Sequence, residues 1–70
     1  MERKSVNSGS IRSVGYESSS QTLEIEFTSG SIYRYSQVSP EIHRKLMAAP
    51  TIGSFFKDNI EEEFTAKRIR

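Results

Sequence analysis

Apolar and polar side chains alternate without a break along residues 22–28. The apolar positions of this segment are Leu23, Ile25 and Phe27, and the acidic positions between them are Glu24 and Glu26. A period of two is typical of a β-strand with one buried and one solvated face. The pattern therefore predicts a strand whose apolar side belongs to the core.

A second strand is predicted upstream, where Val14 and Tyr16 alternate with small or polar neighbours. Ile11 is out of phase with these two residues. One extra residue in a strand produces such a shift, so we expect a β-bulge near Arg12 or Ser13.

The turn at Gly30 decides which face the tyrosines of a third strand, residues 31–36, occupy. A one-residue change of register moves every side chain to the other face. A two-residue loop would put Arg34 on the apolar face and leave Tyr33 and Tyr35 in solvent. A three-residue loop over residues 28–30, with Gly30 in the left-handed conformation, would put Tyr33 and Tyr35 on the apolar face and Arg34 in solvent.

The three-residue loop is favoured because burying a guanidinium is costly. The pairs that this loop predicts are Ile25 with Tyr33, Leu23 with Tyr35, and Glu24 with Arg34 in a solvent-exposed salt bridge. A four-residue loop over residues 18–21 then sets Tyr16 against Leu23 and Val14 against Ile25, on the same face. The cost is that Ile32 is expected to be half exposed.

Two helices are predicted after the strands. Ser39 and Pro40 mark the start of the first, because a hydroxyl caps free N–H groups and proline suits the first helical position. This helix is expected to run to about Ala49 and to stop before Pro50. Thr51 is expected to cap the second helix, in which Phe56, Ile60 and Phe64 recur every four residues. Gly53 in its first turn allows close approach to a neighbouring backbone.

The predicted fold is α+β, a three-stranded antiparallel meander followed by two helices packed on one face (β-β-β-α-α). Residues 1–9 are expected to be a flexible lead, residues 10–67 a single domain, and residues 68–70 a basic C-terminal end. Seventy residues leave room for only one small core.

The amino-acid composition excludes several kinds of site and location for this chain. There is no cysteine, which excludes disulfides and thiolate metal sites. No apolar run approaches the roughly 20 residues that cross a bilayer, and the N-terminal residues do not resemble a signal peptide. We therefore expect a cytoplasmic protein without membrane contact. The net charge of +1 by itself indicates no partner.

The sequence resembles the KTSC domain, a small domain also found at the C-terminus of some lysyl-tRNA synthetases. The residues that carry the resemblance are Ile11, Val14-Gly15-Tyr16, Leu23 to Phe27, Gly30, the triplet Tyr33-Arg34-Tyr35, Val38 and the stretch from Gly53 to Phe56. The likeness covers residues 8–67. Where the family commonly has aspartate after the first tyrosine, this chain has Glu17. The resemblance implies RNA binding as a function to be tested.

Basic residues offer one candidate site for RNA or tRNA. The predicted nucleic-acid-binding residues are Arg44, Lys45, Lys57, Lys67, Arg68 and Arg70. Tyr33 and Tyr35 could stack on bases, but the favoured register makes them core residues, with Tyr33, Arg34 and Tyr35 serving the structure. The acidic neighbours Glu24 and Glu26 argue against the open sheet face as a phosphate platform.

A protein-interaction module is the alternative hypothesis. In a three-stranded sheet the first and third strands are both edges, to which a partner strand could add, and an exposed Ile32 would suit a small contact. The chain is expected to be a monomer or a weak dimer. Catalysis is not expected, because the single histidine, His43, lies in a basic run on the predicted solvent face and no nucleophile motif or phosphate loop accompanies it. No metal, cofactor or small-molecule substrate is expected.

Overall fold

The strictly alternating segment forms the middle strand of an antiparallel sheet, and two helices cover the face that its apolar residues share. The computed structural model describes residues 3–70. The strands are β1 (Arg3–Ser8), β2 (Ile11–Glu17), β3 (Thr22–Phe27), β4 (Ile32–Tyr35) and β5 (Ala66–Arg68), and the helices are α1 (Pro40–Ala48) and α2 (Ile52–Asn59). The strand order in the sheet follows the chain, β1-β2-β3-β4-β5.

The α+β class with two helices on one face is confirmed, but the strand number is wrong. β1 and β5 add one strand to each side of the predicted meander. Both are polar, and β5 is exposed at all three positions. Backbone pairing supplies much of what holds an edge strand, and β1 adds the Val6 side chain against the core and the Arg3–Glu24 ion pair. Neither strand has the apolar period that would predict it from the sequence.

The predicted flexible lead over residues 1–9 is accordingly corrected, since residues 3–8 pair with β2. Met1 and Glu2 lie outside the described residues. The predicted boundary at residue 68 also falls inside an ordered segment, because Arg68 is the last residue of β5. The strands containing Val14 and Tyr33 are interior strands, not edges.

Both predicted hairpin registers are confirmed. In the second hairpin the partners are Ile25 with Tyr33, Leu23 with Tyr35 and Glu24 with Arg34. In the first they are Val14 with Ile25 and Tyr16 with Leu23. The bulge also lies where it was expected, since the register shifts between Ile11 and Ser13.

Gly30 closes the second hairpin in the expected way. Its φ of 96° lies in the region that favours glycine. The Phe27 N–H donates to the Ser31 carbonyl at 2.9 Å, so residues 28–30 form a three-residue loop. This loop puts both tyrosines of β4 on the helix side of the sheet.

The helix starts differ in how they are capped. At α1 the Ser39 Oγ accepts from the Ile42 N–H at 3.3 Å, as predicted. At α2 Thr51 occupies the cap position but makes no side-chain cap bond. Instead the Ser8 Oγ, from β1, accepts from the Gly53 N–H at 3.0 Å. A β-carbon at Gly53 would lie 3.4 Å from the Ser8 carbonyl oxygen, so glycine allows the close approach predicted there.

The core lies between the sheet and the helices. Its fully or almost fully buried members are Ile11, Val14, Leu23, Ile25, Tyr35, Val38, Leu46, Phe56 and Ile60. Phe56 meets Tyr35 edge to face at 5.3 Å and Phe27 in a similar geometry at 5.7 Å. Phe64 packs against this core from beyond α2, which ends at Asn59.

Ile32 is buried, which corrects the expectation of half exposure. Only 3% of its surface is exposed. The cause is the C-terminal segment, which lies beside β4: the Ile32 N–H donates to the Arg70 carbonyl at 3.0 Å, and the Ile69 N–H donates to the Ile32 carbonyl at 2.8 Å. Ile32 therefore offers no exposed contact to a partner protein.

Among residues 3–70, neither helix has the length or the apolar character needed to span a bilayer.

We predict that Ser8→Ala lowers the free energy of unfolding by about 1 kcal/mol, because the part-buried Gly53 N–H loses its acceptor. Thr51→Ala is the matched control and should change stability by less than about 0.5 kcal/mol, since Thr51 makes no cap bond. Urea unfolding measures both. Equal losses in the two variants would contradict the assignment of Ser8 as the cap of α2.

We also predict an alkaline loss of stability that depends on Tyr35. Burial, with a smaller effect of the Glu61 carboxylate, raises the pKa of Tyr35 to about 12 from its ordinary value of 10.0. Because the folded protein favours the neutral phenol, the stabilisation by Tyr35 is complete below the pKa that the side chain has in the unfolded chain. This stabilisation is lost as pH rises through about 12. Wild type should therefore lose stability relative to Tyr35→Phe across this interval in urea unfolding. Parallel pH profiles of the two proteins would contradict the prediction.

Candidate functional site

The face of the sheet that the helices leave uncovered carries a row of charged side chains. Successive partners across the five strands are Arg3, Gly15, Glu24, Arg34 and Lys67. Side chains directly opposite each other on neighbouring strands share a face. Because Gly15 has no side chain, Arg3 reaches past β2 to Glu24 on β3.

Glu24 is the centre of this row. Only 6% of its surface is exposed. An Arg3 guanidinium nitrogen lies 3.5 Å from its Oε1, and the Arg34 Nε lies 3.8 Å from the same oxygen. A buried carboxylate is tolerated when it is paired, so the two arginines explain how Glu24 can be covered. The predicted Glu24–Arg34 pair is present, but its carboxylate is buried and not in water.

Glu26 anchors a second cluster on the same face. Ser13 Oγ donates to its Oε1 at 2.8 Å, and an Arg12 nitrogen lies 3.8 Å from its Oε2. The Ser13 hydrogen bond is the largest influence and lowers the pKa of Glu26. Burial opposes it to a smaller extent, and the charges of Arg3, Arg12 and Arg70 each add a still smaller lowering. Glu26 is therefore held as a carboxylate.

The result is a surface with more positive than negative charge. We call it the cationic sheet face, and define it by Arg3, Arg12, Arg34, Lys67 and Arg70. Its two central carboxylates, Glu24 and Glu26, each contact arginine. Glu17 lies at the far end of the β2–β3 hairpin, where it accepts a hydrogen bond from Ser20.

The six basic residues predicted from the sequence do not form one patch. Lys67 is opposite Arg34 and Arg68 is opposite Tyr33, so these neighbours in β5 point to opposite faces of the sheet. Arg70 adjoins Ile32 on the cationic sheet face.

The remaining three predicted residues lie on the helices, which cover the other face. Arg44 and Lys45 are exposed on α1, and Lys57 is exposed in the last turn of α2. Lys45 pairs with Glu41 at 3.2 Å. Only Lys67 and Arg70 of the predicted set therefore belong to the cationic sheet face.

Sequence reasoning missed three members of this face, Arg3, Arg12 and Arg34. The predicted register pairs Arg34 correctly with Glu24, but the sequence pattern assigns Arg34 only a structural role. Arg12 lies at the predicted bulge, next to Ser13, which is the residue opposite Glu26, and from there its guanidinium reaches the Glu26 carboxylate. Arg3 gave no usable signal, because the strand that carries it has no apolar pattern.

The two tyrosines of the family triplet face the helices and not the cationic sheet face. Tyr35 is 4% exposed, and Tyr33 packs edge to face on Phe27 with ring centres 5.7 Å apart. Neither ring lies where it could stack on a base at the uncovered face.

His43 is not on a solvent face, which corrects the sequence-based expectation. Its imidazole is partly buried and stacks on the Tyr16 ring, with centroids 4.5 Å apart and planes 8° from parallel. Burial lowers the pKa of His43. The Tyr16 hydroxyl donates to the Val38 carbonyl, which fixes the ring that His43 covers.

Across residues 3–70, no group of three or more histidine, aspartate or glutamate side chains is arranged to hold a metal ion.

Known proteins resemble this chain over most of its length. The family model of the KTSC domain matches residues 7–64. The crystal structure of a KTSC domain protein from Yersinia pestis superimposes with a TM-score of 0.95 at 33% identity, covering 99% of this chain and 97% of that one. An uncharacterized protein of Stutzerimonas stutzeri is 45% identical over 56 residues, which are 80% of this chain and 79% of that protein.

A longer relative contains a similar segment. The Lysine--tRNA ligase of Nostoc punctiforme is 39% identical over 59 residues, which are 84% of this chain. The chain spans only 10% of that ligase. Since the family model and the full-length structural match agree, the chain belongs to the KTSC domain family.

Proposed function

We propose that this domain binds RNA through the cationic sheet face, as a non-catalytic accessory module. The observation that carries the proposal is the convergence of five basic side chains on the one sheet face that the helices leave open. Phosphate groups supply much of the affinity in protein–nucleic acid complexes, and they are met mainly by arginine and lysine.

The carboxylates on this face support phosphate binding more than they oppose it. Glu24 is buried, and its charge is offset by two arginines that lie on either side of it. Glu26 is likewise engaged by Ser13 and Arg12. The carboxylates therefore fix guanidinium groups in place. A guanidinium that a carboxylate already holds loses less side-chain entropy when a phosphate binds. It also keeps N–H groups that can donate hydrogen bonds to the phosphate.

The surroundings of the face also favour a nucleic acid over a protein strand. Both sheet edges carry basic residues on both faces, Arg3 and Lys4 at β1 and Lys67 and Arg68 at β5. Charged edges disfavour the addition of another strand, including a second copy of the same strand.

A relative suggests which RNA to use first. A segment similar to this chain is part of a Lysine--tRNA ligase. We therefore propose tRNA or a single-stranded segment of RNA as the partner, in the cytoplasm, with no chemical step performed by this domain.

The test compares two pairs of charge reversals that change the net charge equally. Lys67→Glu with Arg70→Glu alters the cationic sheet face, whereas Lys45→Glu with Lys57→Glu alters the helix side. Binding of tRNA and of a single-stranded RNA is measured by fluorescence anisotropy at several salt concentrations. We expect the first pair to weaken binding about tenfold or more and the second by less than about twofold.

Salt dependence adds a second criterion. Three to five phosphate contacts to a single strand predict a log–log slope between about −2 and −3.5. Circular dichroism checks that each variant is folded. No binding by wild type at low salt would overturn the function, and an equal or larger loss in the helix-side pair would overturn the assigned face.

A further inference from the structure

A cavity lies on the helix side of the sheet, next to the edge strand β1. Its volume is about 290 Å³, and it is lined by Lys4, Val14, Tyr16, His43 and Met47. We call it the Tyr16 groove. Ligand sites of drug size begin at about 300 Å³, so this groove suits one small planar group and not a longer segment.

The chemistry of the lining is that of a site for one aromatic ring. The stacked pair Tyr16 and His43 forms a rigid aromatic wall, because the Tyr16 hydroxyl is held by the Val38 carbonyl. Val14 and Met47 add apolar surface, and a thioether makes favourable contacts with aromatic rings. Each of the two stacked rings keeps one face that the other ring does not cover, and bases splayed out of single-stranded RNA stack on such faces of tyrosine and histidine.

Lys4 adds a positive charge at the same place. Its cross-strand neighbours on the helix side are Val14 and, one strand further, Ile25, which are both apolar. No ion pair of Lys4 is found in the described part of the chain. An ammonium beside an aromatic wall suits a ring that carries a negatively charged group, as a nucleotide does.

The groove and the cationic sheet face meet at β1. Arg3 and Lys4 are consecutive, so their Cα atoms are about 3.8 Å apart and their side chains point to opposite faces. Arg3 contacts Glu24 on the open face, and Lys4 lines the groove. An RNA strand that lies on the cationic sheet face therefore needs only to pass over the edge of the sheet at β1 for one of its nucleotides to reach the groove.

We propose that the Tyr16 groove is a subsite for one unpaired nucleotide, with the base against Tyr16 and His43 and a phosphate on Lys4. The inference rests on the proposed function, because the remainder of the RNA strand lies on the cationic sheet face. It adds a base-binding element to a surface that otherwise meets only the backbone. The domain therefore prefers RNA with a splayed base over a continuous duplex.

The test uses a single-stranded RNA hexamer with 2-aminopurine at one internal position. Wild type should bind it with quenching of the 2-aminopurine fluorescence, and an abasic hexamer should bind about tenfold more weakly. Met47→Glu puts a carboxylate in the groove, where it repels the phosphate of a nucleotide, and should remove the quenching and the advantage of the base. Met47→Leu conserves the volume and should retain both.

A second variant covers the case in which Met47→Glu fails to fold. Lys4→Gln leaves the apolar lining intact and should reduce the magnitude of the log–log salt slope by about 0.7, the change expected for one phosphate contact to a single strand. An unchanged slope would contradict a phosphate on Lys4.

The outcomes separate the two proposals. Wild type could bind the hexamer tightly and in a salt-dependent way, without quenching 2-aminopurine and without losing affinity for the abasic hexamer. This result would overturn the proposal for the Tyr16 groove and leave the proposal for the cationic sheet face intact. No binding of any RNA by wild type would overturn both. Adenosine 5′-monophosphate is also tested as a competitor of the hexamer. Competition at concentrations as low as those at which the hexamer binds would assign the groove to free nucleotides and overturn its role in RNA binding.

Discussion

The buried carboxylate of Glu24 is the constraint on which the uncovered side of this domain depends. Two arginines approach the same oxygen, one from the edge strand β1 and one from β4. Removing a charge from water is costly, so the carboxylate stays where both partners can reach it. Gly15 leaves the path from Arg3 open, and Gly30 sets the register that brings Arg34 opposite Glu24. Two ion pairs on one carboxylate thereby link three strands of the sheet and order the charges on its open face.

The two faces of the sheet have different roles because β3 alternates strictly. Leu23 and Ile25 lie under the helices with no exposed surface, and the acidic residues between them gather arginines on the other side. Stability is thus concentrated on one face, and the binding chemistry that we propose is on the other. The Tyr16 groove is the exception, since it lies on the helix side. It opens beside β1, where neither helix completes the cover, and this places it next to the charged face.

Much of the fold could be predicted from local patterns, because alternation, turn length and capping act over a few residues. The bulge near Arg12, both hairpin registers and the start of α1 follow from such patterns and are present. β1 and β5 could not be predicted, because their largely polar segments show no alternation of apolar and polar positions. The cap of α2 was missed because its acceptor, Ser8, is 45 residues away from Gly53 in the chain. The grouping of the basic residues could not be predicted for the same reason: assigning Lys67 and Arg68 to faces requires β5, and finding Arg3 requires β1.

The most direct test of this account is a double-mutant cycle between Arg3 and Glu24, measured by urea unfolding of wild type, Arg3→Ala, Glu24→Gln and the double variant. The two side chains are in contact, so the account predicts a coupling of about 1 kcal/mol or more, within the range for residues that interact in folded proteins. It further predicts that amide exchange in β1 becomes faster in Glu24→Gln, because β1 loses its link to β3. A coupling below about 0.3 kcal/mol, with β1 equally protected in the variant, would contradict the account.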